Sequence, residues 1–385
     1  GEPFEPPPFV AEFGNGEWSV QREVQFRYVD QALGEIRRPV FVVPRVEVTI
    51  EPASGLWASG RSQTRTLMVR LRHLAGDSTA GEVSLHAPEG WTVGRPQAFR
   101  LGGSASGTFR FTVVPAGSQT RAVFRAEARD AAGRRYAASV TQVDYPHIHA
   151  RQLAYGAEAR MVLSDIRVPP RSATGYVRGA ADRIPEALST LGMRLVLLGP
   201  DSLARGDLSR YQSIVIGPRA YETEPALEQH NERLLDYVRQ GGTLVVQYQQ
   251  QAYFRGNFAP FPISLTEKLG DTPARVAAAR VSEEDAAVRL LQPGHPVFTS
   301  PNRLADADWD GWVQERGLYF ARAWDPQWTP LLEMADTGEP PQHGALLTAR
   351  LGQGTYIYTG ISFFRQLPAA VPGAARLFMN LIGLR

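Results

Sequence analysis

The stretch DADWDGWVQERGLYF, residues 306–320, places acidic and aromatic side chains close together. The acids are Asp306, Asp308, Asp310 and Glu315, and the large aromatics include Trp309, Trp312 and Tyr319. Paired carboxylates are the catalytic groups of glycoside hydrolases, and tryptophan rings stack on sugar faces. This composition is typical of a sugar-binding cleft, a hydrolase or a protein-docking surface. The structural interpretation, which we favour, is a loop held by buried tryptophans, with Arg316 paired to an acid.

Two other stretches place polar residues directly after short apolar runs. In GGTLVVQYQQQAYF, residues 241–254, the apolar run precedes Tyr248 and Gln249. In IVIGPRAYETEP, the run precedes Arg219, Tyr221 and Glu222. Ligands bind beyond the carboxyl ends of strands in open α/β sheets. We therefore predict a candidate binding surface from these residues together with Trp309, Trp312, Glu315 and Arg316; the alternative for 218–225 is a helix-capping loop.

No metal or cofactor site follows from the sequence. His147 and His149 are weak metal candidates, because HIH could put two imidazoles on one face of a strand, but spacing assigns no third ligand. A hydrogen-bonding role between domains is favoured for them. The chain has no cysteine, which excludes disulfides and thiolate nucleophiles. The glycines Gly175 and Gly179 lack the full dinucleotide-binding pattern.

The elements that must position these residues change character along the chain. Residues 46–146 contain short alternating strands separated by turn residues, the pattern of an Ig-like antiparallel β-sandwich. Residues 1–45 predict an orphan β-hairpin and linker, with its turn at Asn15–Gly16, that repeats the hairpin of 124–145. An isolated hairpin is marginal in water, so it should contact the next domain or another protein. Residues 147–172 predict a connecting segment.

Residues 173–385 predict an α/β domain with a parallel sheet covered on both sides, because short apolar strands alternate with helices. We expect helices in AADRIPEALSTLG, EPALEQHNERLLDYVRQGG, SEEDAAVRLL and GAARLFMNLIGL. A hairpin is expected over 345–361, with its turn at 352–354. The segment FFRQLPAAVP, 363–372, predicts either core packing or a docking surface.

Composition narrows the class of protein. The 385 residues carry a formal charge of +2, with basic residues scattered along the chain, which does not favour nucleic-acid binding. No apolar run reaches the length of a membrane span, so no transmembrane segment is predicted. The first residue is Gly1 and no signal peptide is evident, which predicts a processed or trimmed product.

Several stretches resemble one known arrangement, the non-catalytic C-terminal half of large bacterial PIG-L/LmbE-like deacetylases. They are FRYVDQALGEIRRPV, YPHIHARQL, GYVRGAADRIPEALSTLG, IVIGPRAYE, LLDYVRQGGTLVVQY, WVQERGLYF and TYIYTGISFFRQLPAAVPGAARLFMNLI. The resemblance implies an Ig-like sandwich followed by a degenerate class I glutamine-amidotransferase-like domain with a flavodoxin-like sheet. It also implies an extracytoplasmic (periplasmic) location. The chain further resembles a membrane-extrinsic subunit of a bacterial photosynthetic reaction-centre complex.

The resemblance to amidotransferases also implies which catalytic groups are missing. Working members carry a cysteine at a strand-to-helix turn, partnered by a histidine and a glutamate. The corresponding positions here hold Tyr248 and Gln249, and the later region reads GISFFRQLP, without a His-x-Glu pair. The zinc motif of the deacetylases is absent as well. We therefore predict a non-catalytic binding or scaffolding protein, peripheral to a membrane, that docks on a protein complex without a cofactor. The alternatives are a carbohydrate-binding accessory region and a cryptic hydrolase using the acids of 306–315.

Overall fold

The computed structural model describes residues 9–59, 64–115, 120–145, 147–148, 150–169, 173–271 and 277–384. The chain divides into two units. The first comprises Gly1–Ala53 and Arg61–Arg160, and the second comprises Ser54–Gly60 and Met161–Arg385. The described residues form a multidomain, β-rich protein with several antiparallel sheets and one mixed sheet.

The segment 1–45, predicted as one hairpin and a linker, contains two separate hairpins among its described residues. The strands are β1 (Val10–Gly14), β2 (Ser19–Glu23), β3 (Gln25–Asp30) and β4 (Gly34–Pro39). The turn predicted at Asn15–Gly16 is confirmed: Gly16 has a φ of 95°, and the Asn15 side chain accepts hydrogen bonds from the backbone N–H groups of Glu17 and Trp18. In each hairpin the two strands pair only with each other among the described residues. Most side chains of these strands are therefore exposed.

Twelve further strands extend to residue 164. They are β5 (Val46–Glu51), β6 (Ser54–Ala58), β7 (Arg65–His73), β8 (Thr79–His86), β9 (Thr92–Val93), β10 (Gln97–Leu101), β11 (Ser106–Val114), β12 (Arg121–Asp130), β13 (Arg135–Tyr136), β14 (Ala138–Val143), β15 (Arg151–Gly156) and β16 (Glu158–Ser164). Strand β6 belongs to the second unit, and β16 crosses the division between the units. The segment 147–172, predicted as a connection, thus contains the strands β15 and β16.

Two antiparallel sheets supply the core of the first unit. One has the strand order β5-β7-β11-β9, and the other includes β10-β8-β12 with β13 beside β12. Buried and exposed residues alternate along β7 and β12, as expected for strands with one buried face. Phe99 of one sheet makes an edge contact with Phe109 of the other, with ring centroids 6.5 Å apart. The buried set also includes Leu67, Val69, Leu71, Val83, Phe111 and Phe124.

The second unit contains the remaining elements. The strands are β17 (Thr174–Val177), β18 (Leu195–Leu197), β19 (Ser213–Ile216), β20 (Thr243–Gln247), β21 (Ile263–Ser264), β22 (Ala279–Val281), β23 (Val288–Leu290), β24 (Gly317–Phe320), β25 (Ala323–Trp324), β26 (Thr329–Pro330), β27 (Leu332–Met334), β28 (Leu346–Leu351) and β29 (Gly354–Thr359). The α-helices are α1 (Ile184–Thr190), α2 (Pro200–Arg205), α3 (Ala220–Thr223), α4 (Pro225–Gln229), α5 (Asn231–Arg239), α6 (Gln251–Arg255), α7 (Pro296–Thr299), α8 (Phe363–Gln366) and α9 (Pro372–Gly383). Two 3-10 helices cover Leu208–Arg210 and Asp306–Trp309.

A seven-stranded mixed sheet organises this unit, in the order β18-β17-β19-β20-β29-β28-β26. The first five strands are parallel, and β28 and β26 are antiparallel additions. Both faces are buried. One face contributes Tyr176, Val215, Val245 and Ile357 to the core that includes α9, and the other contributes Ile214, Ile216, Leu244 and Val246 to the core that includes α5. Burial on both faces explains why these strands read as continuous apolar runs.

The expected helices are mostly present. The hairpin over 345–361 is confirmed as β28 and β29, and the terminal helix is confirmed as α9. The helix expected in EPALEQHNERLLDYVRQGG is divided into α4 and α5 at His230. The helix expected in SEEDAAVRLL is wrong: Val288–Leu290 form β23, which pairs antiparallel with β27. Pairing to a distant strand overrides the local helical pattern there.

The pairing of β23 with β27 leads to a prediction about pH. The Arg289 guanidinium and the His343 ring hydrogen-bond Glu333 of β27 and lower the pKa of Glu333 from 4.5 to about 2. A lowered carboxyl pKa stabilises the fold above the unfolded-state pKa, and this stabilisation is lost as the pH falls through the folded-state pKa. We expect Glu333→Gln to make the free energy of unfolding less dependent on pH between about 4.5 and 2. Urea denaturation across that range measures the effect, and an unchanged slope would contradict the assignment.

Candidate functional site

The carboxyl ends of the parallel strands meet at one edge of the mixed sheet. Strands β17, β19, β20 and β29 run in the same direction, so the residues that follow them share this edge. Arg219 is the third residue after β19, and Tyr248 follows β20 directly. The Arg219 backbone N–H donates to the Tyr248 carbonyl at 2.9 Å. The structure thus brings together the two stretches that the sequence predicted to meet.

Arg219 organises a polar network at this edge. Its φ of 58° lies in the left-handed region, a costly conformation for a non-glycine residue. Its guanidinium donates two hydrogen bonds to one carboxylate oxygen of Glu222, at 2.7 and 3.0 Å. With its amide oriented to satisfy its neighbours, Gln250 donates to Glu222 at 3.0 Å and accepts from the Tyr319 hydroxyl at 3.2 Å. The charges of this pair are therefore already compensated within the chain.

An aromatic stack lies next to this network. The ring of Tyr248 stacks on Tyr319 with centroids 5.7 Å apart and an interplanar angle of 17°, and it contacts Phe364 at 5.2 Å. Tyr319 is itself in the left-handed region, with a φ of 55°. Burial raises the pKa of the Tyr248 hydroxyl, so it is a weaker nucleophile near neutral pH than an ordinary tyrosine. Tyr248 therefore packs as an aromatic ring between Tyr319 and Phe364.

A second ion pair lies on the other side of this stack. Arg365 of α8 donates to Glu315 at 2.6 Å, and its guanidinium lies 4.9 Å from the centroid of the Phe364 ring. Buried Ser362 donates to the Glu315 carbonyl at 2.8 Å, and the Gln366 amide donates to the same oxygen at 3.1 Å. The loop before β24 is held to α8 by these bonds. Glu315 therefore serves in an ion pair at the predicted surface.

Three residues of the two predicted strand-end stretches are buried: Tyr221, Tyr248 and Gln249. Gln249 is fully buried; its amide donates to the carbonyls of Gly217 and Gln247, and its oxygen accepts from the Tyr221 backbone N–H. The Tyr221 hydroxyl donates to Asn231 at 2.6 Å, and its ring stacks on Phe258. The prediction that Tyr221, Tyr248 and Gln249 lie at a binding surface is corrected. Tyr221 and Gln249 tie the loop after β19 to the interior, and the ring of Tyr248 is buried against Tyr319 and Phe364.

The tryptophans of 306–320 are also in the core. Trp309 and Trp312 are 7% and 3% exposed, with ring centroids 5.4 Å apart. The Trp312 indole N–H donates to the Asp308 carbonyl at 3.0 Å. Arg316 is 3% exposed and lies 5.3 Å from the Trp312 ring. The exposed stacking platform that sugar binding requires is not formed, so the interpretation of a loop held by buried tryptophans applies.

Arg316 differs from its expected role as the partner of an acid. Its guanidinium donates to the carbonyl oxygens of Ala286, at 2.8 and 3.1 Å, and Trp309, at 2.6 Å. Burial lowers the pKa of Arg316. We call Trp309, Trp312 and Arg316 the tryptophan cluster. The Arg316 guanidinium holds this cluster together, because it joins the loops that carry Ala286 and Trp309.

The acids of 306–315 are divided between ion pairs and the exposed surface. Asp308 is buried and accepts from Arg376 of α9 at 2.9 Å, and it also accepts from the Ala305 backbone N–H. Glu315 is paired with Arg365, whereas Asp306 and Asp310 are exposed. Asp308 and Glu315 are thus each engaged by an arginine in the structure.

Sequence reasoning missed a buried polar chain beneath the same edge. The Tyr176 hydroxyl donates to Asp182 at 2.7 Å and accepts from the Gln247 amide at 3.1 Å. Burial raises the pKa of Asp182, whose carboxylate also accepts from the backbone N–H groups of Gly179 and Ile184. The carboxylate fixes the turn after β17 and starts α1. The polar residue types were visible in the sequence, but nothing in their spacing indicated that they meet.

The two histidines that the sequence proposed as metal candidates lie at the end of the first unit. His147 is exposed and stacks on Tyr145 with centroids 5.9 Å apart, and His149 lies outside the described residues. Near the mixed sheet, His295 accepts from the Val297 backbone N–H, and His343 pairs with Glu333. In the part of the chain that the structure describes, no group of three or more acidic or histidine side chains could hold a metal ion.

A cavity of about 760 Å³ lies at the opposite edge of the sheet. It is bordered by the start of β20 and by the carboxyl end of α5, and its polar lining includes Asp207, Ser209, Arg233, Asp236 and Gln240. The cavity is remote from the ends of strands where Arg219 and Tyr248 lie. Separately, no described helix is long and apolar enough to cross a membrane.

Comparisons with known proteins assign no family. No family model matches the chain, and no curated protein matches it. Solved structures give weak likenesses. A β-galactosidase from Rahnella sp. R3 has a TM-score of 0.32 at 14% identity over 56% of this chain and 32% of its own. An Escherichia coli α-2-macroglobulin fragment has a TM-score of 0.23 at 12% identity, covering 33% and 18%. The Caenorhabditis elegans MSP family member WR4 has a TM-score of 0.18 at 10% identity, covering 30% and 97%. This chain thus spans a third or less of the β-galactosidase and of the α-2-macroglobulin fragment.

The buried position of Gln249 gives a testable prediction. We expect Gln249→Leu to destabilise the second unit by about 2–4 kcal/mol, because it leaves buried backbone groups without hydrogen-bond partners. The matched control is Gln251→Leu, since the Gln251 side chain bonds Arg255 at the surface; that change should cost less than about 0.5 kcal/mol. Chemical denaturation of both variants measures the difference. Equal free energies of unfolding for the two variants would show that Gln249 does not hold this loop in place.

Proposed function

We propose that this protein is a non-catalytic, extracytoplasmic scaffolding protein that docks on a larger protein complex. In this proposal the first unit is an Ig-like sandwich with accessory hairpins, and the second is a degenerate amidotransferase-like domain with a flavodoxin-like sheet. The protein acts as a membrane-extrinsic subunit in the periplasm. The host suggested by resemblance is a bacterial photosynthetic reaction-centre complex.

The observation that carries the proposal is the apolar exposure of the two N-terminal hairpins. Most of the exposed large hydrophobic side chains among the described residues lie between 9 and 43: Phe9, Val10, Phe13, Trp18, Val20, Val24, Phe26, Tyr28, Val29, Leu33, Val42 and Val43. We call these residues the hairpin surface. Apolar patches larger than a few hundred Å² on a soluble protein mark interaction sites. Large aromatic side chains are also the residues that dominate binding at protein interfaces.

The pairing pattern of the hairpins supports the same proposal. Phe13 lies directly opposite Val20, and Phe26 and Tyr28 are neighbours on one face of β3, with ring centroids 5.8 Å apart. Each hairpin has two strands among the described residues, and two-stranded hairpins are marginally stable in water without further packing. A partner that covers these faces would supply the missing burial. Docking through β1–β4 therefore explains both their composition and their exposure.

The candidate site at the sheet edge supports a function without catalysis. Arg219 pairs with Glu222, and Arg365 pairs with Glu315. Burial makes the Tyr248 hydroxyl a weak nucleophile. The tryptophan cluster is buried, which removes the observation that favoured carbohydrate binding, and the paired acids weaken the case for a hydrolase. We therefore assign the function to binding by exposed surfaces of the protein and not to a catalytic site.

The proposal is tested by gentle native purification from the source membranes followed by mass spectrometry of the bound material. We expect a membrane protein complex to be retained with the full chain in stoichiometric amounts. Recovery of a monomer without any protein partner would contradict the proposal. Recovery with a bound glycan and no protein would instead support the carbohydrate-binding alternative.

A further inference from the structure

The outer face of the second sheet of the first unit is rich in arginine. Strand β12 alternates buried alanines and Phe124 with outward-facing residues, and the register with β8 and β10 sets which neighbours share this face. The charged members are Arg100, Arg121, Arg125, Arg129, Arg135, Arg160, Glu82, Glu127 and Glu158. Six arginines against three glutamates give this face, which we call the arginine face, a clear positive excess.

Three of these arginines form ion pairs and three form none within the described residues, although Glu82 lies directly opposite Arg129 on this face. Arg125 pairs with Glu158 at 2.8 Å, Arg135 pairs with Glu127 at 2.5 Å, and Arg160 reaches Glu158 at 3.5 Å. Arg100, Arg121 and Arg129 are exposed, and within the described part of the chain none of them forms an ion pair. These three guanidinium groups retain their capacity to bind anions outside the chain.

The spacing of the uncompensated arginines defines the kind of anion. Arg121 and Arg129 are eight residues apart on one strand, which places their Cα atoms about 27 Å apart. This separation exceeds the screening length of about 8 Å at physiological ionic strength, so one small anion cannot serve both positions. The partner must present several negative groups over an extended, nearly flat area.

The residues between the arginines favour a lipid surface over a protein. The other outward positions of β8, β10 and β12 hold small or polar side chains, such as Ser84, Ala98 and the half-buried Val123. A specific protein interface uses large apolar or aromatic anchors at its centre, and the arginine face has none of these among its described residues. Anionic headgroups need only positive charge close to the membrane surface.

We infer that the arginine face binds the anionic headgroups of a phospholipid bilayer. The inference deepens the proposed function, since it adds a lipid contact to the docking of the hairpin surface. It uses a different set of residues, and it can be tested without the partner complex. A protein that does not bind lipid could therefore still dock on its partner complex. A protein that does not dock could still bind lipid.

The test is sedimentation of the purified full chain with vesicles. We expect binding to vesicles that contain phosphatidylglycerol, none to vesicles of pure phosphatidylcholine, and release when the salt concentration is raised. The variant Arg100→Gln/Arg121→Gln/Arg129→Gln should bind at least about tenfold more weakly. Circular dichroism and thermal unfolding should be unchanged, because all three side chains are exposed.

The other sheet of the first unit provides a matched control. Arg70, Arg72 and Arg110 face outward from β7 and β11, and two of them lie within 4 Å of the neighbouring acids Glu51 and Glu47. Changing these three arginines to glutamine should leave vesicle binding near the wild-type level. Equal losses in both triple variants would overturn the assignment to the arginine face. Absence of wild-type binding, or salt-sensitive capture of an acidic protein through the arginine face without vesicle binding, would overturn the lipid inference.

Discussion

Replacing Phe13, Trp18 and Phe26 together with serine should release the protein from its partner complex while leaving it folded. The three rings are 57–60% exposed, so their removal costs little in folding stability. At an interface, burial of aromatic anchors contributes most of the binding free energy. We expect the apparent affinity for the complex to fall at least about 100-fold, equivalent to about 2.7 kcal/mol. Co-purification and surface binding to isolated membranes measure this loss.

An exposed leucine of the second unit supplies the control for this experiment. Leu197 of β18 is about as exposed as the three rings, and Leu197→Ser should leave retention of the partner unchanged. Full retention by the triple variant would show that the hairpin surface is not used for docking. Loss of retention by the Leu197 variant alone would move the docking site to the edge of the mixed sheet.

Arg316→Met should destabilise the second unit strongly. The substitution leaves the buried carbonyl oxygens of Ala286 and Trp309 without their charged donor, and it removes the cation next to the Trp312 ring. We expect a loss of about 2–4 kcal/mol. For a unit of this size the melting temperature should fall by about 4–15 °C. Differential scanning calorimetry resolves the transition of this unit.

The control is an arginine in an exposed ion pair. Arg322 pairs with Glu267, whose side chain is largely exposed, and Arg322→Met should cost less than about 1 kcal/mol. A stable Arg316→Met variant that had lost binding to a glycan would reverse our conclusion. It would mean that the tryptophan cluster opens to a ligand rather than supporting the core.

Features set by local patterns were predictable from the sequence. The Asn15–Gly16 turn, the β28–β29 hairpin and the helix α9 each depend on residues close together in the chain, and each is present. The apolar runs of β19 and β20 also indicated strands buried on both faces. Local propensity failed in SEEDAAVRLL, because β23 is stabilised by its pairing with the distant β27.

The candidate site was predictable only in part, because its contacts join distant segments. Parallel strand ends predicted that Arg219 and Tyr248 meet, but not that Tyr319, Phe364 and Arg365 complete the group. The sequence 306–320 is rich in acids and aromatics, a composition equally suited to a surface cleft and to a buried loop. Burial is decided by α9 and by Arg376, which pairs with Asp308 from 68 residues away. No spacing within the motif carries that information.

Hydrogen–deuterium exchange of the full chain, alone and bound to its partner complex, tests the central claim most directly. In the part of the chain that the structure describes, β1–β4 form two-stranded hairpins, so their amides should exchange quickly in the isolated protein. We predict that binding of the complex slows exchange chiefly within Val10–Pro39. Protection confined to the loops after β19 and β20, with unchanged exchange in the hairpins, would contradict docking through the hairpin surface.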